Sequence, residues 1–350
     1  MLPFGLSYRP QLNTNPMSFA LSLNPSRCAK FWHQDQRNDN DSTPLPRVQV
    51  ANNSKANPAM SKKARKRLKN SISWLCYLST SRRVQVGKQK FIPKFQISFL
   101  TLSLPSIQQH THAELKRECL NHFLVIARRK WRVENYVWKL ELQKNGNAHF
   151  HLTLDRAVPW QEIRRQWNGC LSKLGYISAY QDRFKTMSFS DYTRLRHRSG
   201  EFDKRKIRKS FDYGVYTDWQ DPNTTDVKSV KDVRNLASYL SKYLSKPPTD
   251  EHSNKAQIES AKGLTGRLWY CSQSLSSLGN CLVPFSLHCQ NFLRELNSLT
   301  GVFRISGDYW QCWFYKLGSL PLHLRTFLRE SLLSHAYNAG YPFPAAFPSA

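Results

Sequence analysis

The chain has 350 residues, enough for one large domain or two modest ones with a sizeable core. Lysine and arginine number 52 against 24 aspartates and glutamates, a formal net charge of +28 that points to nucleic acid before any other partner. No apolar run approaches the ~20 residues of a membrane-spanning helix. No signal-like apolar segment follows Met1, so a membrane partner is set aside and a cytoplasmic location is expected. Eight cysteines occur without one Cys-x-x-Cys, and Cys119 and Cys170 fall at apolar positions of helix-like periods. Reduced structural thiols are expected, rather than disulfides or a zinc knuckle.

Residues 1–90 are rich in Asn, Ser, Pro, Lys and Arg without sustained periodicity, and 61–69 form a dense positive block. This stretch reads as a basic, largely disordered tail that adds salt-sensitive phosphate contacts. The texture changes near residue 91. Phe95 to Leu104 alternates, is rich in aromatic and aliphatic residues, and stops at Pro105, which marks a strand. Leu115, Cys119, Phe123, Ile126 and Ala127 then recur at helical spacing. Tyr136 to Gln143 reads as a second strand, Lys144-Asn145-Gly146-Asn147 as a turn, and Ala148 to Asp155 as a third strand.

Pro159 opens a helix with Trp160, Ile163, Trp167, Leu171 and Leu174 on one face, ended by Gly175, and Tyr176 to Tyr180 reads as a fourth strand. Strand–helix–strand–strand–helix–strand is the split βαβ, ferredoxin-like order, so the expected fold class is α+β with an antiparallel sheet. Residues 181–226 are polar, basic and aromatic, a long excursion over the surface. Ser229-Val230-Lys231-Asp232 resembles a capping box, and the helix it opens ends before Pro247-Pro248. The expected division is a tail at 1–90, a catalytic domain at 91–248 and a helical or mixed C-terminal subdomain at 249–350, beginning with a linker at 249–263. That subdomain carries Trp269, Trp310, Trp313 and a helix-like stretch from Leu320 to Tyr337.

His149 and His151 lie two apart in the third strand, so both imidazoles project from one face. A three-residue loop, Asn145-Gly146-Asn147, would set Gln143 against His149 and Glu141 against His151, with Gly146 or Asn147 at positive φ. A two-residue Asn-Gly loop would instead place Leu140 and Leu142 beside the histidines. Neutral imidazoles with one oxygen donor and open positions suit Mg²⁺ or Mn²⁺ shared with a phosphate. On the helix after Ser229, Val233, Leu236, Ala237, Leu240 and Leu244 make an apolar stripe for packing on the sheet. Tyr239, Lys242, Tyr243 and Lys246 make a separate stripe at i, i+3, i+4, i+7. A phenol with a pKa of roughly 10 becomes a workable nucleophile beside a cation or a polarised phosphate. Its attack on a DNA phosphodiester leaves a phosphotyrosine and a free 3′-hydroxyl, a break that can be resealed.

Three ordered motifs, 99–105, His149-Phe150-His151 and Tyr239-Leu240-Ser241-Lys242-Tyr243, resemble those of the HUH endonucleases. More narrowly, they are similar to the rolling-circle replication initiators of small single-stranded DNA bacteriophages, of the two-tyrosine microvirus type. Gly266-Arg267-Leu268-Trp269 adds a weaker likeness. The resemblance implies that His149 and His151 are metal ligands with Glu141 or Gln143 as the third. It also implies that Tyr239 and Tyr243 are alternating nucleophiles, assisted by Lys242 and Lys246. The implied activity is metal-dependent, strand-specific nicking at an origin followed by rejoining. The implied partners are single-stranded and origin DNA together with host helicase and polymerase.

HUH relaxases and transposases would share this chemistry. A non-enzymatic single-strand-binding or regulatory protein would share the charge and the aromatic residues Tyr180, Phe184, Phe189, Tyr192, Phe211 and Tyr213, expected here to stack on unpaired bases. Formation of a covalent protein–DNA adduct separates that binder from the nicking enzymes.

Overall fold

The computed structural model describes residues 17–25, 27–34, 60–79, 81–85, 91–95, 97–229, 255–307, 310–315 and 317–341. Strands β1 (Met17–Asn24) and β2 (Arg27–Gln34) come first, then helix α1 (Lys62–Leu78) and strands β3 (Ser81–Gln85), β4 (Phe91–Phe95) and β5 (Ser98–Leu102). A short helix α2 (His112–Glu114) continues through a π-helical stretch, Leu115–Leu120, into α3 (Asn121–Trp131). The hairpin of β6 (Tyr136–Leu142) and β7 (Ala148–Leu154) follows, then α4 (Trp160–Ser172), α5 (Tyr176–Lys185), α6 (Phe189–Arg198), α7 (Lys204–Tyr216) and β8 (Thr225–Ser229). After residue 254 come α8 (Lys255–Lys262), β9 (Trp269–Cys271), α9 (Gln273–Ser277) and β10 (Cys281–Pro284). Helix α10 (Leu287–Ser298), β11 (Phe303–Gly307), β12 (Trp310–Phe314) and α11 (Leu322–Asn338) are the last strands and α-helices among the described residues.

Two compact units result, 50–279 with 337–350, and 1–49 with 280–336. The first holds an antiparallel five-stranded sheet in the order β8-β5-β7-β6-β9. Its first four strands stand as fourth, first, third and second of a βαββαβ series, which is the ferredoxin-like arrangement expected from the sequence. Strand β9 extends the sheet along the other edge of β6. Alternation sends Leu100, Leu102, Leu140, Leu142, Phe150, Leu152 and Leu154 to one buried face. Helices α3 and α4 close that face through Phe123 and Trp167, whose rings meet edge to face at 5.8 Å, while Phe150 meets Trp167 at 6.2 Å. Each large apolar side chain buried there stabilises the sheet by about 1.5–3 kcal/mol. The opposite face carries His149 and His151.

The fourth strand is not Tyr176 to Tyr180. Those residues begin α5, and the strand is β8, paired with β5 from Ser98↔Ser229 to Leu102↔Thr225. Gly175, at φ 76°, breaks the backbone and lets a new helix start. Tyr176, Ile177, Tyr180 and Phe184 then recur at helical spacing, and the Tyr176 hydroxyl accepts the N–H groups of Gln109 and His110 at 3.1 Å each. Ser229 accordingly closes a strand instead of capping a helix. The remainder of the expected 229–246 helix lies outside the described residues.

The expected surface excursion is a helical insert with its own core. Phe184, Tyr192, Ile207 and Trp219 are buried together, with Tyr180, Phe189 and Phe211 packed around them. Gly214 is required there, because a Cβ on it would stand 2.3 Å from the Trp219 ring. The aromatics expected to stack on bases are therefore spent on one another, apart from Tyr213. That residue is half-exposed and its hydroxyl donates to Asp221 Oδ2 at 2.5 Å. The basic residues of α7 occupy its outer side, which gave the sequence its loop-like texture.

Parts of the expected tail are also ordered. Ser61 caps α1 by accepting the Ala64 N–H, and Leu68, Ile72, Trp74, Leu75 and Cys76 are buried along the helix. The positive block is thus the exposed start of an amphipathic helix whose apolar stripe begins at Leu68. Residues 255–262, within the expected linker, are helical as well.

The second unit is another antiparallel sheet, β10-β1-β2-β12-β11. It buries Leu21, Leu23, Cys28 and Trp313 on one face. Trp313 Nε1 donates to Asn297 of α10 at 2.7 Å, and the Cys281 thiol reaches the Ser331 carbonyl of α11 at 3.6 Å. Pairing here joins residues 17–34 to the C-terminal third, where the sequence suggested a separate tail and a separate subdomain. Local periodicity carries no record of such long-range partners. All eight cysteines are buried and none forms a disulfide, and burial pushes the thiols of Cys76 and Cys119 up to about 12. Among the described residues no helix is long and apolar enough to cross a membrane.

Candidate metal centre

The hairpin that carries the histidines closes through Gln143 N–H to Asn147 O and Gly146 N–H to Gln143 O, each at 2.8 Å. Its three-residue loop is Lys144-Asn145-Gly146, one position earlier than expected, with Gly146 at φ 83°. Glu141 consequently stands opposite His149, and Lys139 opposite His151. The expected pairing of Glu141 with His151 and of Gln143 with His149 is displaced by two residues. Because the displacement is even, every side chain keeps its face, and Leu140 and Leu142 point away from the histidines.

Three donor atoms converge on that face. Glu141 Oε2 lies 2.7 Å from His151 Nε2 and 3.5 Å from His149 Nε2, and the two Nε2 atoms are 3.0 Å apart. Neighbouring ligands about 2.1 Å from an octahedral ion stand roughly 3.0 Å from one another, so the donor set fits a small divalent cation. Among the described residues, Glu141, His149 and His151 form the one group of three or more His, Cys, Asp or Glu side chains able to hold a metal ion. Gln143 shares the face, but its amide donates to Ser103 Oγ at 3.3 Å.

Support comes from the adjoining strands. His151 Nδ1 lies 3.2 Å from Thr101 Oγ1, which faces it across β5 and β7. The His151 ring stacks on Phe99 with centroids 5.8 Å apart and an interplanar angle of 7°. Nε2 hydrogen-bonds Glu141 in the ion-free group; with an ion there instead, a proton on Nδ1 toward Thr101 would leave the Nε2 lone pair for it. Asn147 fixes the hairpin end by accepting the Gln108 N–H at 2.9 Å and donating to Ser106 O at 2.8 Å, and Gln108 Oε1 accepts the Ala148 N–H at 2.7 Å.

Residues 97–248 match the family model of the ORF2-type replication-associated proteins. No curated protein and no solved structure matches the chain. The matched stretch contains Glu141, His149 and His151 and also Tyr239, Lys242, Tyr243 and Lys246. These last four lie outside the described residues, so their placement relative to the histidines is not part of the geometry.

Electrostatics complete the picture. Burial alone would raise the Glu141 carboxyl, yet hydrogen bonds from His149 and His151 and the Lys139 ammonium outweigh it and hold the group far below the usual carboxylate range. Burial lowers His151, and although Glu141 pulls the other way, the net direction is downward, which favours the neutral, ligand-competent ring. Lys139 Nζ is 2.5 Å from Glu141 Oε1 and its side chain is 0% exposed, against 17% for His149 and 18% for Glu141. The group is therefore open on the side of His149 and Glu141 and closed by Lys139 beneath. The sequence reading missed Lys139 and Thr101. The signal for Lys139 was its two-residue step from Glu141 in β6, which puts both side chains on one face.

Proposed function

We propose that this chain is a rolling-circle replication initiator of the two-tyrosine type, whose 91–248 region nicks DNA at an origin and later rejoins it. The observation that carries the reading is the Glu141-His149-His151 group, on one face of a β8-β5-β7-β6 sheet and accessible at His149 and Glu141, inside a stretch similar to a replication-associated family. Mg²⁺ or Mn²⁺, when bound there, supplies positive charge that polarises the scissile phosphate. His149 and His151 would hold it through their imidazoles, and Glu141 through its carboxylate. Tyr239 or Tyr243 attacks phosphorus, forming a phosphotyrosine as the bond to the 3′-oxygen breaks and that oxygen takes up a proton. Lys242 and Lys246 provide charge to the phosphate or the leaving oxygen. The second tyrosine repeats the step after synthesis and frees the first.

The expected partners are single-stranded and origin DNA, with host helicase and polymerase acting on the nicked product in the cytoplasm of the host. The deciding experiment incubates the protein with origin-containing single-stranded DNA and Mg²⁺ or Mn²⁺, then seeks an adduct that survives denaturation and maps the modified tyrosine. His149→Ala or His151→Ala should abolish cleavage while DNA binding persists, and the Tyr239→Phe, Tyr243→Phe double variant should form no adduct. Absence of adduct with every divalent metal would instead favour a single-strand-binding protein. Adduct persisting in the double variant would reassign the nucleophile.

A further inference from the structure

Lys139 has no role in holding an ion, yet it occupies the floor of the metal-binding group. Its neighbours on the same sheet face, Val137, Phe99 and Thr153, are buried, and an aliphatic side chain would fill that position without desolvating a charge. An ammonium is present instead, and it is placed on Glu141. The contact to Oε1 leaves Oε2 as the oxygen turned toward both histidines. The contact also sets an ammonium against the one carboxylate of the ligand group before any ion arrives. A site built to keep a dication permanently would leave its carboxylates unneutralised.

We infer that Lys139 is a positioning residue that makes ion binding at Glu141, His149 and His151 conditional on DNA. The inference rests on the metal-dependent reading above. A dication entering this half-buried group meets a carboxylate whose charge the Lys139 ammonium already offsets. A phosphodiester approaching from the open side by His149 and Glu141 supplies the missing negative charge. Ion and DNA then each raise the affinity of the protein for the other by the same factor. Lys139 itself, fully buried, does not meet the DNA. The consequence is a centre that assembles on its substrate and holds its ion weakly otherwise.

The test is Mn²⁺ titration of the full chain, read from the electron paramagnetic resonance signal of the free ion, with and without a mixed-sequence single-stranded oligodeoxynucleotide. In the native protein DNA should tighten Mn²⁺ binding by on the order of tenfold or more. Lys139→Met should tighten Mn²⁺ binding without DNA by a similar factor and bring the ratio between the two conditions toward one, while Lys139→Arg should keep the native ratio. A folded Lys139→Met protein with native affinity and native ratio would overturn the inference. So would native protein whose Mn²⁺ affinity ignores DNA, a result that needs no variant. Failure of the metal reading looks different: native protein then takes up no Mn²⁺ in either condition, matching His149→Ala.

Discussion

Thr101→Val tests whether the imidazole of His151 is held for a ligand. The substitution removes the hydroxyl at 3.2 Å from Nδ1 and keeps nearly the same volume. One neutral hydrogen bond contributes about 0.5–1.5 kcal/mol net, equivalent to roughly a two- to tenfold change in ion affinity. Loss of a hydrogen bond behind a metal-bound histidine commonly costs about 10–100-fold, because the ring is also free to change tautomer. Stacking on Phe99 restrains the His151 ring independently, so the effect should fall where these ranges meet, at about tenfold. Isothermal titration with Mn²⁺ in the presence of single-stranded DNA reads the affinity, and a thermal melt without metal checks that the fold is intact. Binding within twofold of the native protein, with an unchanged melt, would refute the assignment of Thr101 as the partner that orients the ring.

Three further outcomes follow from the same geometry. Glu141→Ala leaves the buried Lys139 ammonium without its carboxylate and should destabilise the protein by about 3–5 kcal/mol in urea unfolding, with much of the loss recovered by adding Lys139→Met. Equal stability of the single and double variants would contradict the ion pair. Both Glu141 and His151 are shifted down on folding, so around each the unfolded chain binds more protons than the native one, and their contribution makes stability rise with pH. For His151 that contribution is lost as pH falls below the ordinary histidine range, and for Glu141 as it falls below the ordinary carboxylate range. Urea unfolding from pH 8 down to pH 3 should show both steps, and Glu141→Gln should remove the acidic one. Gly214→Ala forces a methyl group against the Trp219 ring and should cost about 1–3 kcal/mol, visible in tryptophan fluorescence and the melting temperature, while leaving Mn²⁺ affinity unchanged.

Much of the sheet that carries the histidines was legible because alternation and turn chemistry are local. Phe95 to Leu104, Tyr136 to Gln143 and Ala148 to Asp155 each announced a strand, and the parity of Glu141, His149 and His151 survived even though the loop was placed one residue late. Single-residue loop placement depends on which residue takes positive φ, and Asn145, Gly146 and Asn147 all compete for it. The insert at 176–219 was illegible for a different reason. Its four buried residues, Phe184, Tyr192, Ile207 and Trp219, are spread over three short helices and the turn after the last, with lysine and arginine on the outer sides, so no single window shows a strong apolar period. The partnership of β1 and β2 with β10 and β12 was out of reach, since it joins segments roughly 260 to 290 residues apart. Lys139 was overlooked because a lysine in a strand is ordinarily a solvent-facing residue, and only its burial reveals its use.

The buried thiols bear on how this protein can be handled. With all eight cysteines enclosed and those of Cys76 and Cys119 pushed up to about 12, almost no thiolate is presented to solvent at neutral pH. Metal titrations can therefore dispense with dithiol reductants, which would chelate the ion being measured. A single cysteine introduced at an exposed position such as Ser199 would also be the preferred target of a maleimide dye. One site-specific fluorophore, with every native cysteine in place, would then report DNA docking in real time.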